Sequence, residues 1–255
     1  DALLMGCEGA LTVDTGHIEV HEAGAIEAFG HKVITLQGKD SKMTPEVLTE
    51  YMERFLGDDT YPHMVQPGLV YISMPTELGM VYTRNELTAL YAACKKYNLL
   101  LYVDGARLGY GLAAKVGAMM GEAVVFTNRK APKYFFTTVK RHGALLAKGR
   151  MLGLQFDTLF TDNLYLRVGH HAISMAERLK EIFIAYHIPF AVASPTNQQF
   201  VVLSQKQFDH LSRHLAFGIW SPHGPPPTRI WKYWKRLAGR WKATNIRVFT
   251  PIPIH

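Results

Sequence analysis

The sequence predicts an α/β fold: a large domain built around a mostly parallel sheet, followed by a small α+β domain. Three observations carry this. Apolar runs alternate with helical patterns through the first half, helix-start signals stand between them, and after Pro132 the pattern turns to long helical stretches and then short strands. In order, Ala10–Asp14 reads as a buried strand, and a helical stretch runs from His17 to Gly30. Lys32–Leu36 is the next strand. Thr44-Pro45 opens a helix with Pro at its first position, and Gly57 closes it. Leu69–Met74 is a strand. Thr83-Arg84-Asn85-Glu86 is a capping box for a helix to about Tyr97. Leu99–Asp104 and Glu122–Phe126 complete the strands of the large domain. Beyond it, 133–160 and 163–186 are helical, short strands fall near 189–193 and 200–203, and a helix lies near 207–216. This gives a large α/β domain over 1–160, a small α+β domain over 161–223 and a tail of different composition over 224–255.

Composition narrows the function classes. With 48% apolar and 19% charged residues, 255 residues support a sizeable core and argue against disorder. No apolar run approaches the roughly 20 residues of a membrane helix. The two cysteines, Cys7 and Cys94, provide neither a disulfide scaffold nor a four-ligand zinc site, so no metal centre is expected. The first residue, Asp1, with no Met and no signal-peptide pattern, reads as the start of a piece of a longer cytoplasmic protein.

The net charge of +7 is local. Arg229, Lys232, Lys235, Arg236, Arg240, Lys242 and Arg247 lie in 224–255 with no acidic residue, and the remainder is balanced at 21 basic against 21 acidic. All four Trp also fall after residue 219. The stretch 230–241 therefore admits a rival reading as a basic aromatic helix for a membrane surface or nucleic acid. Its Pro-flanked, irregular charges form no binding motif, so neither partner is expected.

Ligands of open parallel sheets bind beyond the carboxyl ends of the strands. Three such ends carry polar residues here: Thr15-Gly16-His17, Pro75-Thr76-Glu77 and Asp104-Gly105-Ala106-Arg107. An imidazole, two carboxylates and a guanidinium on one crevice suit an anionic or heteroaromatic ligand without specifying a reaction. Each residue also has a plain structural reading: His17 starts a helix, Glu77 caps a turn and Asp104-Gly105 is a turn signature.

Five ordered segments go further: Asp14-Thr15-Gly16-His17-Ile18 with His21-Glu22-Ala23-Gly24; Tyr71–Gly79; Asp104-Gly105-Ala106-Arg107-Leu108; Lys115-Val116-Gly117-Ala118 running into Gly121–Phe126; and Ser194–Phe200. Together they resemble the threonine aldolase and β-eliminating lyase family, pyridoxal 5'-phosphate (PLP) enzymes of the aspartate-aminotransferase fold (fold type I), most like the bacterial low-specificity L-threonine aldolase branch. The likeness covers most of 1–220. It implies that Asp104 pairs with the protonated pyridine nitrogen of PLP and that His17 stacks on the ring and helps move the substrate hydroxyl proton. It places Arg107 near the ring oxygen and the substrate carboxylate. Glu77 stands where other branches carry a His facing the substrate hydroxyl, which leaves the aldol base open between His17, Glu77 and a bound water.

The resemblance implies that Lys115, followed by the family's Val-Gly-Ala, is the Schiff-base lysine. The Gly-Gly-Thr that precedes the family lysine is replaced by Gly111-Leu112-Ala113-Ala114, and a helix and a strand of the family pattern are missing between 114 and 115. The family's phosphate-cradling loop is expected before residue 1. Arg247, in Asn245–Thr250, has the shape of the strand whose Arg binds the substrate carboxylate. The implied activity is aldol cleavage of L-threonine and related β-hydroxy-α-amino acids to glycine and an aldehyde, by a cytoplasmic homodimer or homotetramer with a small amino acid as substrate. The alternatives are a β-eliminating lyase on the same scaffold and an inactive truncated homologue.

Overall fold

The computed structural model describes residues 2–106, 108, 123–127, 130–213, 218–219 and 245–249. They fall into two compact units, one from 2–77, 82–106, 123–127 and 130–164, the other from 78–81, 108, 165–213 and the two strands beyond.

The first unit is laid on a parallel sheet of β1 (Glu8–Val13), β2 (Val33–Leu36), β3 (Gln66–Ser73) and β4 (Leu100–Asp104), in the order β2-β1-β3-β4. β1 and β3 are central and buried on both faces, which is why they read as continuous apolar runs rather than alternating ones. Helix α1 (His17–Val20) and helix α2 (Ala25–Ala28) lie between β1 and β2. Helix α3 (Pro45–Leu56) precedes β3, and α4 (Arg84–Lys96) joins β3 to β4.

The helix starts follow from local chemistry. Thr44 Oγ1 accepts from Val47 N at 3.3 Å, with Pro45 in the first turn. At α4 the Glu86 carboxylate accepts from Thr83 N at 2.6 Å while Thr83 Oγ1 accepts from Glu86 N at 3.2 Å, a reciprocal cap. Leu48, Met52 and Phe55 of α3 and Leu90 and Cys94 of α4 recur at helical spacing. They pack on Leu11, Val13, Val70 and Ile72, the odd residues of β1 and the even ones of β3. The opposite sheet face carries Ala10, Leu69 and Tyr71 against Ile18 of α1 and Ile26 of α2.

Two expectations change here. The stretch from His17 to Gly30 is not one helix: Ala23 and Gly24 take positive φ of 53° and 72° and separate α1 from α2. Nor do residues 123–126 form a strand. Val124 and Val125 are 52% and 80% exposed, and a strand needs a ladder partner that a β-branched run alone does not supply. The region 133–160 likewise divides into α5 (Phe135–Arg141) and α6 (Arg150–Phe160), with Gly143 at φ 72° between them.

The second unit contains α7 (Leu164–Ala185), which enters it at Tyr165, and β5 (Phe190–Val192), β6 (Gln198–Val202), α8 (Gln205–Leu211), β7 (Gly218–Ile219) and β8 (Asn245–Phe249). Its sheet has the order β5-β6-β8-β7, antiparallel only at β5–β6. Phe183 and Leu179 of α7 pack on Val201 and Leu203. At Gly79 a Cβ would meet Ser194 Oγ at 2.2 Å, so the segment 78–81 lies directly on the Ser194–Thr196 turn. β8 falls in the tail set apart on composition; the rest of 224–255, all four Trp and the junction at 114–115 lie outside the described residues.

Candidate active site

The chain goes from β1 outward to β2, then crosses back over β1 to β3 and continues to β4. The direction of winding therefore reverses between β1 and β3, and the crevice at the carboxyl ends of such a pair is where open α/β sheets bind ligands. His17 follows β1, Glu77 follows β3 and Asp104 ends β4, so three adjacent strands deliver the sequence-predicted imidazole and both carboxylates to one edge of the first unit.

His17 opens α1 behind a tight turn. Gly16 N donates to Val13 O at 2.8 Å, and a Cβ on Gly16 would meet Thr12 Oγ1 at 2.2 Å and Val13 O at 2.9 Å. Only glycine lets the turn pass this close to β1. The His17 ring is part-exposed, and its Nδ1 lies 2.5 Å from Glu22 Oε1. A carboxylate only accepts, so Nδ1 carries the proton and Nε2 is the acceptor nitrogen. His21 lies beside it, with ring centroids 5.4 Å apart. Asp14 Oδ1 accepts from Gly38 N at 3.1 Å and joins the ends of β1 and β2.

Glu77 is 3% exposed, at the end of a turn that passes through a cis Met74–Pro75 bond. The buried hydroxyls of Thr76 and Ser41 meet at 2.7 Å and tie this turn to the loop after β2. Glu77 stands close enough to two phenols for its charge to raise both. Tyr71 and Tyr82 are pushed well above the ordinary tyrosine range, chiefly by burial, with Asp104 adding to the first and Glu86 to the second.

Asp104 is held at both oxygens. Ala106 N donates to Oδ1 at 2.8 Å, and the Tyr71 hydroxyl donates to Oδ2. Its own carbonyl accepts from Met74 N at 2.9 Å, which locks the ends of β3 and β4 together. An ionised carboxylate with two donors at a strand end is a fit partner for a protonated ring nitrogen. The Thr12 and Thr15 hydroxyls at the end of β1 are buried and make no hydrogen bond among the described residues, so polar capacity is in reserve beside His17. A heteroaromatic cofactor with a basic ring nitrogen suits this set.

Arg107 and Lys115 lie outside the described residues. Arg247 sits on β8 opposite Phe200 in the β6–β8 register, and its side chain is likewise outside them. Two partners were missed in the sequence. Glu22 stands five residues after His17, within the His21-Glu22-Ala23-Gly24 segment but without a role there. Tyr71 opens the Tyr71–Gly79 segment without a role there, and its signal is its face: two before Ser73, which pairs in register with Asp104.

Comparison with known proteins decides the ancestry. The sequence profile of the family described as beta-eliminating lyase matches residues 2–124. The structure of Leishmania major threonine aldolase is 34% identical and superposes with a TM-score of 0.80 over 89% of this chain and 71% of that one. The chain belongs to the threonine aldolase and β-eliminating lyase family. Two more members of that family, the low specificity L-threonine aldolases of a Pseudomonas species and of Pseudomonas aeruginosa, are 31% and 30% identical over 205 residues. The chain spans 58% of the length of each of these curated relatives. Bna3p of Saccharomyces cerevisiae, 15% identical, shares the fold at a TM-score of 0.53 over 75% of this chain and 52% of its own. The fold is that of type I PLP-dependent enzymes, as the sequence predicts.

Proposed function

We propose that the protein cleaves L-threonine and related β-hydroxy-α-amino acids to glycine and an aldehyde, with PLP as cofactor. The observation that carries this is the convergence of His17, Glu77 and Asp104 on the ends of three adjacent parallel strands, with His17 oriented by Glu22 and both oxygens of Asp104 held by donors. The names and the similarity of the Leishmania and Pseudomonas threonine aldolases support it.

Asp104 would hold the protonated ring nitrogen, His17 would lie on the ring face, and Lys115 would bond the cofactor covalently. When bound, PLP supplies a sink for the electron pair released at Cα of the substrate. His17 Nε2, free because Nδ1 donates to Glu22, accepts the proton of the β-hydroxyl. As that proton leaves, the Cα–Cβ bond breaks, Cβ becomes the aldehyde carbon and the pair stays at Cα. A proton returned to Cα completes glycine. Glu77, buried at the end of the turn after β3, is the alternative acceptor of that proton. Arg107 and Arg247 would take the substrate carboxylate, for which a guanidinium fork is the natural partner.

A cytoplasmic homodimer or homotetramer accompanies this reading. What supports assembly is apolar surface on α5 and α6, where Phe136, Met151 and Phe160 are 67%, 64% and 67% exposed. Among the described residues no helix is long and apolar enough to cross a membrane. In this reading 1–160 is the cofactor-binding body and 161–223 the small domain, with 224–255 set apart by composition while its strand β8 joins the sheet of the second unit.

The test is a product assay of the PLP-loaded protein on L-threonine. Acetaldehyde and glycine in equal amounts are expected. Ammonia and a keto acid instead would assign it to β-elimination.

A further inference from the structure

The Tyr71 phenol is buried near the end of β3 and donates to Asp104 Oδ2. In the parallel β3–β4 register Tyr71 pairs with Tyr102 and Ser73 with Asp104, so all four share one sheet face. The Tyr71 and Tyr102 rings stack, with centroids 5.7 Å apart and planes 13° from parallel. Ala10, Ile18 and Leu69 pack around Tyr71. The ring is therefore fixed by packing, and its hydroxyl is presented to Asp104 Oδ2 from a rigid element. A second donor, Ala106 N, comes from the backbone at Oδ1. Each carboxylate oxygen has two acceptor directions, so both donors leave room for a ligand. Burial and the charge of Asp104 keep Tyr71 protonated, hence a donor, throughout the working range.

We propose that Tyr71 is a positioning residue: its hydroxyl fixes the orientation of the Asp104 carboxylate and so sets how tightly the protein holds the protonated ring nitrogen of its cofactor. This rests on the assignment of Asp104 to that nitrogen. In this assignment Tyr71 acts through Asp104. A phenol from the neighbouring strand removes the rotational freedom that a carboxylate held at one oxygen would keep.

The experiment is a double-mutant cycle read by PLP binding and by the pH midpoint of the visible cofactor band, not by turnover. Tyr71→Phe keeps the ring stack and removes only the hydroxyl. It is expected to weaken PLP binding by about tenfold, the usual scale for a hydrogen bond to a charged group, and to move the band's pH midpoint. In an Asp104→Asn background the same change is expected to add nothing, because its effect passes through the carboxylate. If Tyr71→Phe does not fold by circular dichroism, Tyr71→Met, which fills the site without a hydroxyl, serves the same comparison. Unchanged binding and midpoint in the folded Tyr71 variant, with Asp104→Asn impaired, would overturn the role of Tyr71. Equal losses from the Tyr71 change with and without Asp104 would also overturn it, since packing alone gives additivity. Unimpaired binding by Asp104→Asn would overturn the Asp104 assignment itself, and the proposal with it.

Discussion

His17 Nδ1 and Glu22 Oε1 lie 2.5 Å apart, joining the first residue of α1 to the turn that ends it. The pair selects the imidazole tautomer and aims Nε2. Glu22→Gln, whose amide can turn either an oxygen or an N–H to Nδ1, is expected to lower kcat about tenfold with little change in KM. His17→Phe keeps an aromatic face and loses the proton acceptor, so a loss of about 10²–10⁴ in kcat is expected with PLP still bound. Steady-state kinetics with L-threonine, beside a PLP titration, checks both. Unchanged kcat in His17→Phe would move the base to Glu77 or water.

Gly16 makes the His17 turn possible. Its backbone angles, φ −61° and ψ 139°, suit any residue, so only space excludes a side chain. Gly16→Ala would drive a methyl into Thr12 Oγ1 and Val13 O and should cost about 1–3 kcal/mol, the range for overpacking. Adding Thr12→Ala should recover part of the loss, because the side-chain half of the clash is removed. Urea midpoints of the three proteins test this.

The α4 cap gives a pH signature. Glu86 is held down to about 2, first by its hydrogen bond from Lys42, at 2.8 Å, and then by Thr83 N. A depressed folded value means stabilisation that is complete above the ordinary value of 4.5 and is lost as pH falls toward 2. The carboxylate is 42% exposed, so screening limits the Lys42 share to below about 1 kcal/mol, and Thr83→Ala should cost about 1 kcal/mol. The gap in urea midpoint between the wild type and Glu86→Gln should be widest near neutrality and close as pH approaches 2.

The two thiols should differ sharply. Cys7 is exposed, while Cys94 is fully buried on the sheet-facing side of α4 and burial pushes its thiol up to about 12. A thiol reagent at neutral pH should modify one cysteine rapidly in the native protein and the second only after denaturation. Rapid modification of both would contradict the packing of α4 on the sheet.

Elements marked by local chemistry were legible in the sequence. Thr44-Pro45 and the Thr83/Glu86 box each satisfy helix-start donors within three residues, so α3 and α4 begin where the sequence places them. The strand ends bearing His17, Glu77 and Asp104 were legible for the same reason: apolar runs stop at polar turns. What depends on pairing was not. Tyr71 reaches Asp104 only because β3 and β4 lie in one particular register, and no spacing within either strand encodes that. The break between α1 and α2 turns on the positive φ of Ala23 and Gly24, in a stretch whose apolar period runs through. Val124-Val125 has strand composition without a ladder, and composition alone cannot supply one.

The central proposal is that this chain holds PLP through Lys115. The most direct measurement is the visible spectrum of the protein with PLP before and after borohydride reduction, followed by mapping of the labelled peptide. A visible band that reduction abolishes, with the label on the Lys115 peptide and no label in Lys115→Ala, is the predicted result. No band in the wild type, or equal labelling of Lys115→Ala, would contradict it.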